Sequence, residues 1–530
     1  MGETLQKWIE EWKNGRVKDL PDWIPIDEAG DWAEFEKQHP ELTRHDAERL
    51  ERYHQLEESL KGKLAGDIQK ENETVLKALN DIRSASIRNR DLKFTSLFHH
   101  LNIRMLTYAF HQLRKEAAAG CDKITWQQYA QNLEENVNNL WKRLVNWSYY
   151  PQPVRRTYIP KASGGLRPLG ICAIEDKIVQ YALKLILENI YEAKFKGVSY
   201  GFRPGTRAHD ALDAVYMAIT TKNVNYILDA DIVGCFDNIN RSILIEILKD
   251  KIGDTRIIKL VERLMNVGIL DKGELRLLDN GVIQGSTLSP LLANIFLDYV
   301  IDTFVIWWRA TFAKGEVYFV RYADDYIIGF QYKEDAINLL KVLEDRLLCA
   351  GLRLNTKKTR LIEFGKNVRR SKDGETKLET EVFNFLGFTH KCGISHKGRK
   401  FKLMRNCISE RITKKIQDID TKLDKIIFRP LKEVIQWVNG VLQGYYAYFA
   451  VHDNLQPLSS FRHAIMELLH KKLNRLSQRS KWTWDFFNKH ISPQILFPKV
   501  KHPYPSQRMA ERQKTLSELR YSIRKVIPDH

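Results

Sequence analysis

Apolar residues recur at helical spacing over about 100–150, 174–195, 240–266, 290–310 and 333–350, which predicts helices there, the second of them amphipathic. Between these stretches lie short runs rich in β-branched and aromatic residues. "VNYILDADI" reads as a buried strand ending in acid, and "TYIPKASGGLRPLG" as a hairpin turning at Gly164-Gly165. "VFNFLGFTH" reads as a strand pair with a glycine bend. In "VRYADDYIIGF", residues 320–330, two strand-like flanks enclose Asp324 and Asp325 at the tip of a hairpin. After about 403 the pattern is helical and basic to the end. At the other end, Trp8, Ile9 and Trp12 predict a short amphipathic helix, and a longer charged helix is expected over about 43–90.

Composition narrows the class. A chain of 530 residues has room for roughly three to four domains, and 43% hydrophobic with 28% charged residues excludes global disorder. The formal charge is +18 and is spread over the body, which points to a polyanion partner. Residues 1–60 run against that trend with a net charge of −8, leaving +26 on the rest, and they hold Trp8, Trp12, Trp23 and Trp32. This head reads as an appended module that either folds against the +26 body and screens part of its basic surface or uses its Trp8/Trp12 face to dock a protein partner or a second copy of the chain. Six scattered cysteines show neither a disulfide framework nor zinc spacing, which suits a cytoplasmic protein. The start lacks a secretory pattern, and no run approaches 18 uninterrupted apolar residues, so no membrane span is expected.

Two like charges side by side at a hairpin tip repel each other. Either they sit in a solvated turn or a cation belongs between them. A second acidic strand end, "YILDADIVGCFDNI", offers Asp229 and Asp231, which share one face because strand side chains alternate. Three convergent carboxylates can hold two hard cations about 4 Å apart, the arrangement that drives in-line phosphoryl displacement.

"RYADDYIIGF" resembles the Y-x-D-D motif of reverse transcriptases, and "DADIVGCFDNI" their first catalytic motif. "GVIQGSTLSPLLANIFLDYVID" is similar to the group II intron version of the next block. "YIPKASGGLRPLGICAIEDKIVQ", "SYGFRPGTRAHDAL", "LRLNTKKTRLIEFG" and "FNFLGFTH" resemble further blocks in the family's order, and "LKFTSLFHHLN" and "AAAGCDKITW" its fingers extension. "LQGYYAYFAV", "RLSQRSKWTWDFF" and "HPYP" resemble its thumb/X (maturase) region. The resemblance covers about 90–508 and identifies a group II intron-type reverse transcriptase/maturase.

The resemblance implies an α+β right-hand polymerase with an antiparallel palm sheet, a helical thumb/X domain and a helical N-terminal extension. The implied division is 1–75 head, 76–220 fingers, 221–400 palm and 401–530 thumb/X. It implies that Asp231, Asp324 and Asp325 bind two Mg²⁺ ions, with the Ile232 carbonyl as a further ligand, and that Asp229 is structural. Phe236 falls at the steric-gate position that rejects ribonucleotides, or is a core aromatic. Lys161 and Arg167 match residues gripping the incoming triphosphate, or decorate a solvated hairpin. Gln284 and Gly285 match the nucleotide pocket, and Lys358 the place beside the triphosphate from which a proton can reach pyrophosphate. Arg475, Arg479 and Lys481 are candidates for phosphate contact, and Trp482 and Trp484 for base stacking or for the core.

The chain departs from the family where P-Q-G becomes Ile283-Gln284-Gly285 and "RPLGIPT" becomes "RPLGICA" at Cys172-Ala173, which is expected to loosen two turns of the pocket. The implied partners are an RNA template, a DNA or RNA primer, dNTPs and structured RNA such as a group II intron. Three uses compete: an intron-borne maturase, a splicing cofactor that only binds RNA, and a domesticated polymerase in defence or repair.

Overall fold

The structure is a computed structural model that describes residues 66–160, 165–277, 280–367, 370–372, 375–377, 381–394, 401–476 and 482–505. The expected head helix, Lys161, Arg479 and Lys481 lie outside the described residues. The charged helix expected over 43–90 is described as α1 (Gly66–Arg88). It is followed by α2 (Ile103–Gln112), α3 (Trp126–Ala130) and α4 (Leu133–Val145). Asn102 caps α2 through the Met105 N–H, and Thr125 with Gln128 forms a capping box on α3.

The hairpin β1 (Val154–Pro160) and β2 (Leu166–Ile171) leads into α5 (Ile174–Tyr191). An amphipathic helix was expected here, yet nearly every residue of α5 is buried, because α1 and α2 pack against it. Two of its buried acids are paired, the Tyr149 hydroxyl donating to Asp176 at 2.6 Å and Lys184 pairing with Glu188 at 3.3 Å, whereas the buried Tyr191 hydroxyl finds no partner among the described residues.

Then come α6 (Ala208–Thr221), β3 (Tyr226–Ala230), α7 (Cys235–Asn238), α8 (Arg241–Lys251) and α9 (Thr255–Met265). Two short strands, β4 (Ile269–Asp271) and β5 (Glu274–Arg276), extend the first hairpin into a sheet ordered β2-β1-β4-β5. The next helical run is α10 (Ser289–Leu297), a π-helical turn at Asp298–Asp302 and α11 (Thr303–Phe312). By length and composition Ser289–Phe312 would cross a membrane, which counting uninterrupted apolar residues did not register. It is 78% buried in the protein, as a core helix is.

The hairpin β6 (Val317–Tyr322) and β7 (Asp325–Phe330) precedes α12 (Lys333–Cys349) and β8 (Arg360–Glu363). After a small hairpin, β9 (Arg370–Lys372) and β10 (Glu375–Lys377), come β11 (Phe383–Phe385), β12 (Phe388–Ile394) and β13 (Phe401–Cys407). Leu386 and Gly387, both at positive φ, make the expected bend between β11 and β12. Strand β13 was expected to be helical from about 403. It pairs with β12 from Phe401↔Ile394 to Cys407↔Phe388, so the sheet runs past residue 400. The final helices are α13 (Ser409–Ile426), α14 (Leu431–Phe449), α15 (Leu455–Arg475) and α16 (Trp484–His490), which enclose their own core around Leu423, Leu442 and Phe461.

One sheet, β6-β7-β3-β8, joins the remaining two cores. Its strands bury both faces, which is why they read as nearly continuous apolar runs. Leu228, Ile328 and Phe319 face the large helical core that reaches from Val75 to Leu354. Ile227, Ile327 and Val320, one residue out of step, face a second core with Leu212, Phe364 and Phe388. The sheet is therefore a shared wall, and Asp231 and Asp324 stand at one end of it.

Candidate active site

Strand β3 pairs antiparallel with β7, with Ala230 opposite Tyr326, so one further step sets Asp231 opposite Asp325. Asp229 and Asp231 prolong the face of Ile227, and Asp325 prolongs that of Ile327. The turn between β6 and β7 is two residues long, Ala323-Asp324, because Tyr322 pairs with Asp325. Ala323 has φ +58°, a left-handed conformation that an alanine adopts only when its surroundings impose it.

The surroundings are explicit. The Arg321 guanidinium is fully buried, and its Nη1 donates to the Ala323 carbonyl at 2.8 Å and to Asn294 Oδ1 at 3.0 Å. Its Nε and Nη2 donate to the two oxygens of buried Asp302 at 2.6 and 2.5 Å. Asp302 lies in the π-helical turn. Gly201 closes the turn from another side, where any side chain would collide with the Ala323 backbone nitrogen. Sequence reasoning missed Arg321, Asp302, Asn294 and Gly201. A signal was present: an arginine in the apolar strand "VYFVRY" and an aspartate in an equally apolar helix each need a buried partner.

The front of the turn is far less neutralised. Asp231 Oδ2 accepts from Lys358 Nζ and from Asn355 Nδ2, each at 3.0 Å. The Asn355 N–H also donates to the Asp231 carbonyl at 2.8 Å, and buried Ile232 bridges Leu354. Asp229 pairs with Arg360 at 3.2 Å. Among the described residues neither Asp324 nor Asp325 makes an ion pair. Burial and then Asp231 push the Asp324 carboxyl above the usual range, against the pull of Arg167 on β2 and of Arg321. The Asp325 carboxyl rises to about 6 through loss of solvation, then through Asp324, Asp231 and Asp229, with Lys358 opposing. Asp325 is exposed, so the neighbouring carboxylates are the firmer part of that cause. Among the described residues no three His, Cys, Asp or Glu side chains close around a single point. The donor set is nevertheless all oxygen and under-neutralised, which is chemistry that fits a hard divalent cation.

Shortly after Asp231 in the chain, Phe236 and Asp237 meet the 281–285 segment. Phe236 is partly buried against the large core, and its carbonyl accepts from the Val282 N–H at 2.8 Å. Gln284 Nε2 donates to both Asp237 oxygens at 3.2 Å, which ties the 281–285 segment to the residue after Phe236. Gly285 has φ +108° and lies against the backbone of Gly170, while the Gly170 N–H donates to the Gln284 carbonyl at 2.6 Å. The structure thus brings Lys358 and Arg167 to the acids, while Phe236, Gln284 and Gly285 are joined to one another through Val282, Asp237 and Gly170. Arg475 is exposed at the end of α15 and Trp484 stacks on His470, both in the separate C-terminal core region.

The two turns expected to be loosened each place a buried apolar side chain at the departing position. Cys172 and Ile283, which stand where the family has prolines, are buried and pack with Val154 and Val267 in one apolar cluster.

Comparison with known proteins gives one family match, to reverse transcriptase (RNA-dependent DNA polymerase), over residues 159–390. The group II intron-encoded protein LtrA of Lactococcus lactis subsp. cremoris is 36% identical over 238 residues, 44% of this chain and 39% of that protein. Protein YkfC of Escherichia coli is 30% identical over 275 residues, 46% of this chain and 71% of YkfC. An uncharacterized 91 kDa protein in the cob intron of Schizosaccharomyces pombe is 28% identical over 401 residues, 62% of this chain and 47% of that protein. The chain therefore spans well under half the length of LtrA.

Proposed function

Because the chain belongs to the reverse transcriptases of group II intron type, we propose that it is an RNA-directed DNA polymerase extending a primer with dNTPs. The observation that carries this reading is the acid end of the sheet, where Asp231 stands opposite Asp325 beside the buttressed Ala323-Asp324 turn. In the right-hand description, the shared sheet is the palm, the β2-β1-β4-β5 sheet belongs to the fingers and α13–α16 form the thumb/X region.

Asp231, Asp324 and Asp325 would hold two Mg²⁺ ions, with the Ile232 carbonyl as a further ligand. When bound, the ions supply activation of the primer hydroxyl and stabilisation of the leaving pyrophosphate. The chain's own residues do the rest. Lys358, bonded to Asp231 at 3.0 Å, would give a proton to the leaving pyrophosphate. Arg167, whose charge reaches Asp324, grips the triphosphate together with Lys161. Phe236 presents its accessible edge to the sugar and rejects a 2′-hydroxyl, and Gln284 is held in place for the nucleotide by Asp237.

The basic body and Arg475, Arg479 and Lys481 bind template duplex or structured RNA, a group II intron RNA among them, through phosphates. The −8 head serves protein docking or self-association. Six free cysteines support a cytoplasmic setting. The test is primer extension on an RNA template with Mg²⁺ by the purified chain and by Asp324→Asn. Extension by both proteins, or by neither, ends this reading.

A further inference from the structure

Phe202 is a bulky aromatic held at φ +57°, and 54% of its surface is exposed. Left-handed backbone is uncommon for such a residue and survives only where the neighbours force it. They do so on both sides. Asn294 Nδ2 donates to the Gly201 carbonyl at 2.7 Å, and Gly201 is wedged against Ala323 of the catalytic turn. Arg203 is buried; its Nη1 donates to the carbonyls of Lys196 and Ser199 at 2.7 and 2.8 Å, and its Nη2 pairs with Glu192 at 3.1 Å. Thr206 Oγ1 donates to the Arg203 carbonyl at 2.9 Å and also bonds the Tyr200 carbonyl.

Strain of this kind is usually repaid by packing, but the Phe202 ring joins none of the apolar cores. The chain holds an unpacked aromatic ring one residue from the backbone that touches the Ala323-Asp324 turn, with exposed Arg207 in the same loop. An exposed ring and an exposed cation carried by one loop are groups that can take a nucleobase face and a phosphate.

Resting on the polymerase reading above, we propose that Phe202 is a stacking platform for one nucleobase of the primer–template, next to the catalytic turn. Its left-handed backbone is the means of presentation: the two anchored neighbours leave the ring no route into the core.

The test compares the full-length protein with Phe202→Gly and Phe202→Leu. Glycine takes positive φ freely, so Phe202→Gly removes the ring without adding strain. Affinity for an RNA-template, DNA-primer duplex is measured by fluorescence anisotropy, melting temperature is followed in parallel, and 2-aminopurine is placed singly along each strand near the primer terminus. Both variants are expected to bind about tenfold more weakly, as loss of one stacked base implies. The melting temperature of Phe202→Gly should not fall, and one 2-aminopurine position quenched by the wild-type protein should brighten in both variants. The strand carrying that position identifies template or primer as the source of the base. Equal affinity and equal quenching in all three proteins overturn the proposal. So does a lower melting temperature in both variants with binding unchanged, which assigns the ring to the fold, or a loss of self-association alone, which assigns it to a protein interface. A wild-type protein that binds no primer–template overturns the polymerase reading and the platform together.

Discussion

The front and the back of the β6–β7 turn use the same chemical groups to opposite ends. At the back, one guanidinium is saturated by Asp302, Asn294 and the Ala323 carbonyl, all of it buried. At the front, Asp324 and Asp325 share one corner with Asp231 and Asp229, and Lys358 and Arg360 neutralise only the latter two. A saturated buried pair can only hold shape, whereas under-neutralised carboxylates keep their charge available to a ligand. The back fixes a strained turn so that the front can remain electrostatically unsatisfied.

The largest effect should come from the front. Asp324→Asn or Asp231→Asn should reduce primer extension by about a thousandfold or more while leaving RNA affinity within a few-fold, since phosphate contacts lie elsewhere. Near wild-type extension by either variant, measured on purified protein, would erase the distinction between the two sides.

Breaking the back should act on folding first. Arg321→Met strands the buried Asp302 carboxylate and should destabilise by about 3–5 kcal/mol in denaturant unfolding. Pairing it with Asp302→Leu should recover much of that loss. If the single and double variants are equally unstable, Arg321 does not act through Asp302.

Phe236→Ala tests the steric-gate reading. It should raise rNTP incorporation by roughly tenfold relative to dNTP, a shift of about 1.4 kcal/mol in discrimination, with dNTP use changed much less. Unchanged discrimination would return Phe236 to the large core against which it packs.

The smallest effect sharpens the electrostatics. A carboxyl raised to about 6 in the folded state, from 3.8, binds a proton more tightly there than in the unfolded chain. Stability of the metal-free protein should therefore fall as pH rises from about 4 to about 6, and stay lower above that. Asp325→Asn should accordingly raise the melting temperature slightly at pH 7.5, and the gain should vanish as pH is lowered towards 4. A gain that is independent of pH would mean that Asp325 does not feel its neighbours.

Much of the front was legible in the sequence because each acid ends a strand whose β-branched and aromatic residues declare it. Alternation put Asp229 and Asp231 on one face and the strand flanks put Asp324 and Asp325 at a hairpin tip, while the choice of Asp231 and the expectations for Phe236, Gln284, Gly285 and Lys358 came from the ordered motifs of the family. The back was illegible for a physical reason: Arg321, Asp302, Asn294 and Gly201 are distant in sequence and meet only after folding. Helix α5 was misjudged in the same way, since a one-sided pattern was expected where α1 and α2 pack against it and most of its residues are buried. Strands β4 and β5, three residues each, are too short to carry a period; β4 pairs on the edge of β1, and β5 in turn pairs on β4.

Cys172 and Ile283 depart from the family pattern at two places far apart in the chain, yet they touch one cluster. Positions that share one buried cluster are coupled, so prolines placed at Cys172 and at Ile283 together are expected to change stability by an amount that differs from the sum of the two single changes.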